Sequence, residues 1–395
     1  MKITIIGAGL GGLTAAVAML RKGFDVTVLE QAPELKEIGA GVQLSANATG
    51  VLFRLGMGDA LMTQACEPLG KRVRLWNTGH IWPLFDLGAV SRSLYGYPYL
   101  TLHRADLHQV LAQAVLALKP DAIKLGVRVT GHEQEDGHVI IHSESGERYT
   151  SDVAIGADGV HSRTRETMFG PDAPVYSGIM AWRGVVRTAD LPEHMREPWG
   201  SNWVGPGAHV IQYPLRGGEL FNFVGAVERE AWEAESWSER GTHAECLADF
   251  KGWHSDVHTL IEAVETPYKW VLKVRDPMNS WTKGRVTLLG DACHPTLPFL
   301  AQGAAMAIED GYILARALEK YPDDPATAFA RYEAARMDRT AKVVLGSNAN
   351  AKRFHNPALA DAQGAAEYVD REFNEARVKE RYEWLFSYDV DAVAL

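Results

Sequence analysis

The sequence predicts an α/β fold: a mostly parallel sheet wound with helices, an inserted sheet-rich second domain, and a C-terminal helix. Three observations predict it. A β-branched run, Ile3–Ile6, enters Gly7-Ala8-Gly9-Leu10-Gly11-Gly12 and leaves as a helix. Segments of period-two alternation then occupy 176–229. Finally, a buried strand returns at 284–291 and ends on Gly290-Asp291. Period two marks strands half-buried on one face, whereas continuous apolar runs mark parallel strands buried on both.

The opening unit justifies itself locally. Leu13, Ala16, Val17 and Leu20 recur at helical spacing, Gly23 ends the helix, and Val26–Leu29 is a second strand closing on Glu30. Here G-x-G-x-x-G has strand before, helix after and a carboxylate at the end of the second strand, the context of a Rossmann dinucleotide site. Gly7 serves the tight turn, Gly9 the close approach of a pyrophosphate, and Gly12 the contact of helix with strand. The helix N-terminus offers N–H groups and a positive dipole end to phosphate. Glu30 stands where a carboxylate accepts hydrogen bonds from a ribose.

Further along, Asn47–Leu61 reads as a helix, and 70–100, rich in Trp, Tyr and Pro, as an excursion from the first domain. A helix starts at His103-Arg104-Ala105-Asp106-Leu107. Strands are expected at Lys124–Val129 and His138–Ser143, and a short buried strand leads into Asp158-Gly159. After the alternating strands, Trp232–Val264 reads as helical and polar-faced, and Tyr268–Val274 as one more strand. Helices are expected at Gly303–Glu319, Asp324–Ala351 and Ala365–Phe386. The expected division is a discontinuous nucleotide-binding domain (1–75, 98–172 and 268–350), a second domain (76–97 and 173–267) and a C-terminal segment (351–395).

Composition narrows the function classes. The 395 residues include 40 Lys and Arg against 50 Asp and Glu, a net charge of −10 that argues against a nucleic-acid surface. Hydrophobic residues make up 46%, enough for a large core. Three scattered cysteines, Cys66, Cys246 and Cys293, suit neither a disulfide framework nor a zinc site. With the first strand at Ile3 and no long apolar run, a cytoplasmic protein without a membrane span is expected.

Two more motifs sit at predicted strand ends: Asp158-Gly159-Val160-His161-Ser162-Arg163-Thr164-Arg165 and Gly290-Asp291-Ala292-Cys293-His294-Pro295. An Asp at the carboxyl end of a parallel strand faces the crevice where cofactors bind. Asp291 suits the ribityl hydroxyls of a flavin, and the helix from Gly303-Ala304 can aim its N-terminus at the ring's electron-rich end. Either motif alone is also an ordinary turn; their order after the glycine unit is the stronger signal.

With GAGLGG at 7–12, Glu30, HRADL at 103–107, DGVHSRTR at 158–165, GDACHP at 290–295 and AQGAAMAIED at 301–310, the chain resembles the single-component FAD-dependent aromatic hydroxylases. p-Hydroxybenzoate hydroxylase typifies them. The nearest resemblance is to salicylate 1-hydroxylases, 3-hydroxybenzoate 6-hydroxylases and 6-hydroxynicotinate 3-monooxygenases. It spans nearly the whole chain and implies a Rossmann-type FAD-binding domain with an inserted sheet-rich substrate domain. It implies FAD as cofactor, NAD(P)H as transient co-substrate with NADH favoured, O2, and a small aromatic acid. A homodimer is a further expectation. By resemblance, Gly7, Gly9, Gly11, Gly12 and Glu30 hold the ADP half of FAD, Val42 and Gln43 lie along the flavin, and Arg104 contacts the ribityl-pyrophosphate region. Asp158 and Gly159 serve FAD and the nicotinamide cofactor, Asp291 the ribityl chain, Pro295 the reacting centre, and Gly303 and Ala304 the flavin's pyrimidine end. Pro298 and Phe299 depart from relatives that carry Gln or His there.

On the substrate side, His209 and Tyr213 share a strand face, about 13 Å apart by strand rise. By pattern alone, a half-buried strand histidine bonded to a backbone carbonyl is the commoner outcome. The resemblance assigns the pair to the substrate pocket, where a neutral His suits removal of a phenolic proton. The activity implied is hydroxylation of a monohydroxylated aromatic carboxylate, with or without loss of CO2. Hydroxylation of a heteroaromatic ring, and a flavin reductase or oxidase without oxygen insertion, are the alternatives.

Overall fold

A computed structural model describes residues 1–35, 40–230 and 239–395. A six-stranded sheet runs in the order 282–283, 286–288, 153–156, 2–6, 25–29, 123–124, parallel except for the short edge pair at 282–288. Lys2–Ile6 pairs with Asp25–Leu29 on one side and Val153–Gly156 on the other, and Val286–Leu288 lies next to the latter. The three motifs separated by nearly 300 residues therefore emerge at the carboxyl ends of three adjacent parallel strands. This is the edge where wound α/β sheets bind ligands.

Helices Leu10–Arg21, Arg104–Leu118, Gly303–Lys320 and Pro325–Phe354 surround this sheet. Gly311 meets the backbone of Ala15 so closely that a Cβ would lie 2.7 Å from the Ala15 nitrogen, so small residues set the helix–helix approach. A large core around Ile3, Ile5, Val28, Ile155 and Leu288 fills the space.

The second sheet has eight strands in the order 239–240, 268–274, 175–187, 220–228, 208–215, 200–205, 70–75, 81–86. Its two faces bury different cores. Trp182, Trp203, Phe221, Phe223 and Phe250 pack on the outer face under the helices His243–Asp249 and Ser255–Ala263. Val73, Leu75, Val204, Ala226 and Leu272 pack on the inner face, with Phe299 and Phe354. Alternation then places Lys71, Asn202, His209, Tyr213 and Asn222 on the inner face too. A two-stranded ribbon, Gly41–Leu44 with Leu100–His103, joins the layers: Gly41 N–H donates to Asn222 Oδ1 at 2.7 Å.

Several elements differ from expectation. Gly70–Leu75 and Tyr268–Val274, read from sequence as part of the nucleotide-binding domain, hydrogen-bond into the eight-stranded sheet. The expected helix 232–264 divides into the strand Glu239–Arg240 and two helices, while 231–238 lie outside the described residues. Thr242 and Glu245 form a reciprocal capping box that starts the first of them. The expected single C-terminal helix is two, Ala362–Glu372 and Glu375–Phe386, because Asn374 caps the second through Arg377 N–H. Among the described residues no helix is long and apolar enough to cross a membrane.

Candidate active site

At the sheet's carboxyl edge a cleft of ≈1330 Å³ is lined by Gly7, Gly9, Glu30, Asp158, Gly159 and Arg165, among others. Gly7 takes φ +107°, and a Cβ there would lie 2.5 Å from the Ala157 carbonyl oxygen. Gly12 lies against Gly7, with room for no side chain: a Cβ would sit 2.1 Å from the Gly7 oxygen. Gly9 differs, since a Cβ there would meet nothing within 4 Å and would fill the cleft itself. Gly9 is also the N-cap of helix Leu10–Arg21 and offers no capping side chain, so the first N–H groups stay available to a phosphate. The residues present fit the ADP half of FAD. Gly11 instead faces Leu289 and Ala307, where a Cβ would come within 2.7 and 3.0 Å, so the lack of a side chain there serves helix packing while its backbone N–H stays among the first helical donors.

Glu30 is held by the backbone: its two oxygens accept from Ala8 and Ala32 N–H, each at 2.8 Å. Carboxylate oxygens keep further lone pairs for a ribose hydroxyl. His108 Nε2 lies 2.7 Å from the Ala8 carbonyl oxygen, a buried brace on the glycine turn that the sequence pattern did not reveal. Asp158 lines the cleft, but its carboxylate is engaged locally by the Ser162 hydroxyl at 2.5 Å and by Thr164 N–H at 2.9 Å. Arg165 donates to the Ala292 carbonyl at 3.0 Å, tying the Asp158 motif to the Asp291 motif.

Asp291 is exposed, yet crowded by protein; desolvation raises its carboxyl above the usual range, and His294 and Arg104 oppose the rise. Arg104 is exposed at the start of its helix. Pro295 is buried in the loop before the turn Pro298–Leu300, and Gly303 and Ala304 open the helix that follows. His294 shapes the Gly-Asp turn, its Nε2 2.6 Å from Asp310 Oδ2. Asp310 also accepts from Arg336 Nε at 2.7 Å, and Glu309 pairs with Arg336 and Arg339 at 2.7 and 2.8 Å. This charged knot anchors the flavin-side helix beneath its first turns. Cys293 is buried, and burial pushes its thiol well up, which leaves it packing rather than reacting. No cluster of metal-ligating side chains occurs among the described residues.

A second cavity lies between the ribbon and the inner face of the eight-stranded sheet. Its lining includes Gln43, Lys71, Asn202, Tyr213, Phe299 and Tyr382. At ≈40 Å³ it is smaller than an aromatic acid, so a ring seats only as lining side chains shift. Gln43 accepts from the Tyr99 hydroxyl at 2.8 Å, while Val42 packs against the main core. The Lys71 ammonium lies 5.0 Å from the Tyr99 ring centroid. Tyr213 packs on Gly41, and burial raises its phenol, so it stays protonated at neutral pH. Lys71 is the one basic side chain among the described lining residues, and burial lowers its ammonium to about 7, so an incoming carboxylate would favour its charged form; a lysine on the inward period of Lys71, Val73, Leu75 was the signal for it.

His209 does not follow the commoner strand pattern. It is fully buried, with its ring 4.9 Å from Phe299 and 5.1 Å from Phe354, and among the described residues it bonds no carbonyl. Its Nδ1 lies 2.6 Å from Nε2 of His355, and its own Nε2 is buried without a partner. His209 and Tyr213 therefore share the inner face as expected, with Tyr213 on the cavity and His209 behind Phe299. Phe299, which offers no polar group, covers the histidine.

The sequence profile of the FAD binding domain family matches residues 1–347. The 3-hydroxybenzoate 6-hydroxylase of Polaromonas naphthalenivorans is 36% identical over 395 residues, covering 99% of this chain and 96% of its own. The 6-hydroxynicotinate 3-monooxygenase of Pseudomonas fluorescens is 40% identical over 356 residues, covering 88% and 91%. Klebsiella pneumoniae HpxO, solved with FAD and uric acid, superposes with a TM-score of 0.83 at 28% identity, covering 100% of this chain and 97% of that one. With a glycine turn shaped for a dinucleotide and two further motifs on adjacent strand ends, this chain belongs to the FAD binding domain family and is a flavoprotein oxidoreductase.

Proposed function

We propose that this protein is an FAD-dependent monooxygenase that uses NAD(P)H and O2 to hydroxylate a monohydroxylated aromatic carboxylate of the salicylate or hydroxybenzoate type. The observation that carries the reading is the cavity on the inner sheet face. Aromatic and apolar walls, among them Tyr213, Phe299, Phe354 and Tyr382, alternate with the polar Gln43, Ser201, Asn202 and Gln212, and one basic side chain, Lys71, stands in the lining. Such a lining suits a flat ring bearing one carboxylate. FAD, when bound, supplies the reductive activation of oxygen. The chain's own residues do the rest. The turn at Gly7–Gly12 holds the pyrophosphate, and Lys71 receives the carboxylate. Phe354 and Leu84 exclude water, and His209, reached as Phe299 shifts with the seating of the ring, accepts the proton of the ring hydroxyl. Removing that proton makes the ring carbons more nucleophilic toward an electrophilic oxygen. A 6-hydroxynicotinate-type ring is the second reading, favoured by the relative that acts on it and by the same need for a carboxylate partner.

The test is direct. Purified protein should be yellow and release FAD, and hydroxybenzoates should stimulate NADH oxidation with ¹⁸O from ¹⁸O2 in the product. Hydrogen peroxide as the sole oxygen product would make it an oxidase. Lys71→Met should raise KM for the carboxylate about 10–100-fold, from a lost charged hydrogen bond of about 1.5–3 kcal/mol. A carboxamide analogue should bind both forms alike; an unchanged carboxylate KM removes Lys71 from the site.

A further inference from the structure

We propose that Glu228 and His355 form, with His209, a proton relay that sets the His209 tautomer and carries its proton between the buried site and solvent. The inference rests on the hydroxylase reading and goes beyond it. The three groups come from three elements: His209 from strand Ala208–Leu215, Glu228 from the end of strand Leu220–Glu228, and His355 from the C-cap of helix Pro325–Phe354. His209 Nδ1 to His355 Nε2 is 2.6 Å, and His355 Nδ1 to Glu228 Oε1 is 3.0 Å. Both imidazoles are buried, whereas the Glu228 side chain is 55% exposed.

The donors and acceptors leave one arrangement. An ionised carboxylate only accepts, so His355 donates from Nδ1. A neutral imidazole carries one N–H, so His355 Nε2 accepts, and His209 must donate to it from Nδ1. The lone pair of His209 is then on Nε2, the nitrogen that is buried without a partner. Burial keeps both rings neutral by lowering their pKa values; His355 further disfavours a proton on His209, and Glu228 opposes the lowering at His355. The base thus has its lone pair at one end of the chain and an exposed carboxylate at the other.

The transfer balances without electrons. A ring hydroxyl gives its proton to His209 Nε2, and the Nδ1 proton passes to His355 Nε2. The His355 Nδ1 proton passes to Glu228, which releases it to water. When the product oxygen is reprotonated the sequence runs backward and restores the starting tautomers. Phe299 and Phe354, packed on the His209 ring, keep water from short-circuiting the route.

Two measurements test this, and the first needs no activity. ¹⁵N NMR of histidine-labelled holoprotein should show His209 as the Nδ1–H tautomer, changing to a mixture in His355→Leu. An Nε2–H tautomer in the unaltered protein overturns the relay whether or not the enzyme hydroxylates anything. The second is Glu228→Gln, a change at an exposed position. Its FAD content and carboxylate KM should match the unaltered protein. Its kcat in weak buffer should fall about tenfold, and added formate or imidazole should restore it. Normal kcat and pH profile without buffer dependence overturn the relay. A wild-type protein that hydroxylates no aromatic acid instead sinks the hydroxylase reading and leaves the tautomer result standing on its own.

Discussion

His209→Gln is expected to lower the rate of hydroxylation by about 10²–10⁴-fold, the usual contribution of a positioned base. The glutamine amide can still donate toward His355, so the fold should hold, and FAD should be retained because His209 does not line the dinucleotide cleft. The pH profile carries the sharper signature. Burial holds the His209 imidazole well below its ordinary 6.5, so in the unaltered enzyme it is a neutral base throughout the neutral range. Without it the ring hydroxyl must ionise unaided, and kcat should climb tenfold per pH unit toward the phenol's own pKa. The deficit is therefore largest at low pH. Full activity and a flat profile in His209→Gln would return this residue to core packing.

Arg336→Met should be the most destabilising single change, costing about 3–5 kcal/mol in denaturant unfolding. Arg336 is fully buried and pairs with Glu309 and Asp310, both fully buried themselves. Removing it leaves Glu309 to Arg339 and Asp310 to His294 alone beneath the first turns of helix Gly303–Lys320. Desolvation raises the Asp310 carboxyl, but His294 and Arg336 outweigh it and hold it at about 2 against an ordinary 3.8. A folded pKa below the unfolded one means stability present above pH 4 and lost as pH falls toward 2. In Arg336→Met the folded pKa rises toward or past 3.8, so that acid-dependent loss should shrink or reverse. A variant within about 1 kcal/mol of the parent would show that Arg339 and His294 suffice.

The glycine turn and the carboxylate that closes its unit were legible because their determinants are local. Gly7, Gly9, Gly12 and Glu30 fall within one strand–turn–helix–strand unit, and the φ of +107° at Gly7 and the open direction at Gly9 follow from that unit's geometry. Asp158 and Asp291 were legible as strand-end residues, though the hydrogen bonds that Asp158 makes to Ser162 and Thr164 were not. Gly11 shows the limit: it shares the glycine pattern, yet its direction points to Leu289 and Ala307 on an element nearly 300 residues away.

What the sequence by itself determined is the wound parallel sheet, the glycine turn and the inward phase of His209 and Tyr213, since each depends on a period or spacing within about 30 residues. Only the tertiary structure decided that Gly70–Leu75 and Tyr268–Val274 join the inserted sheet, that Lys71 faces the cavity, and that His355 and Glu228 back His209. Strand partners are chosen by sheet order and helix ends by packing. Contacts between residues 127 or 146 positions apart leave no periodic trace in the chain.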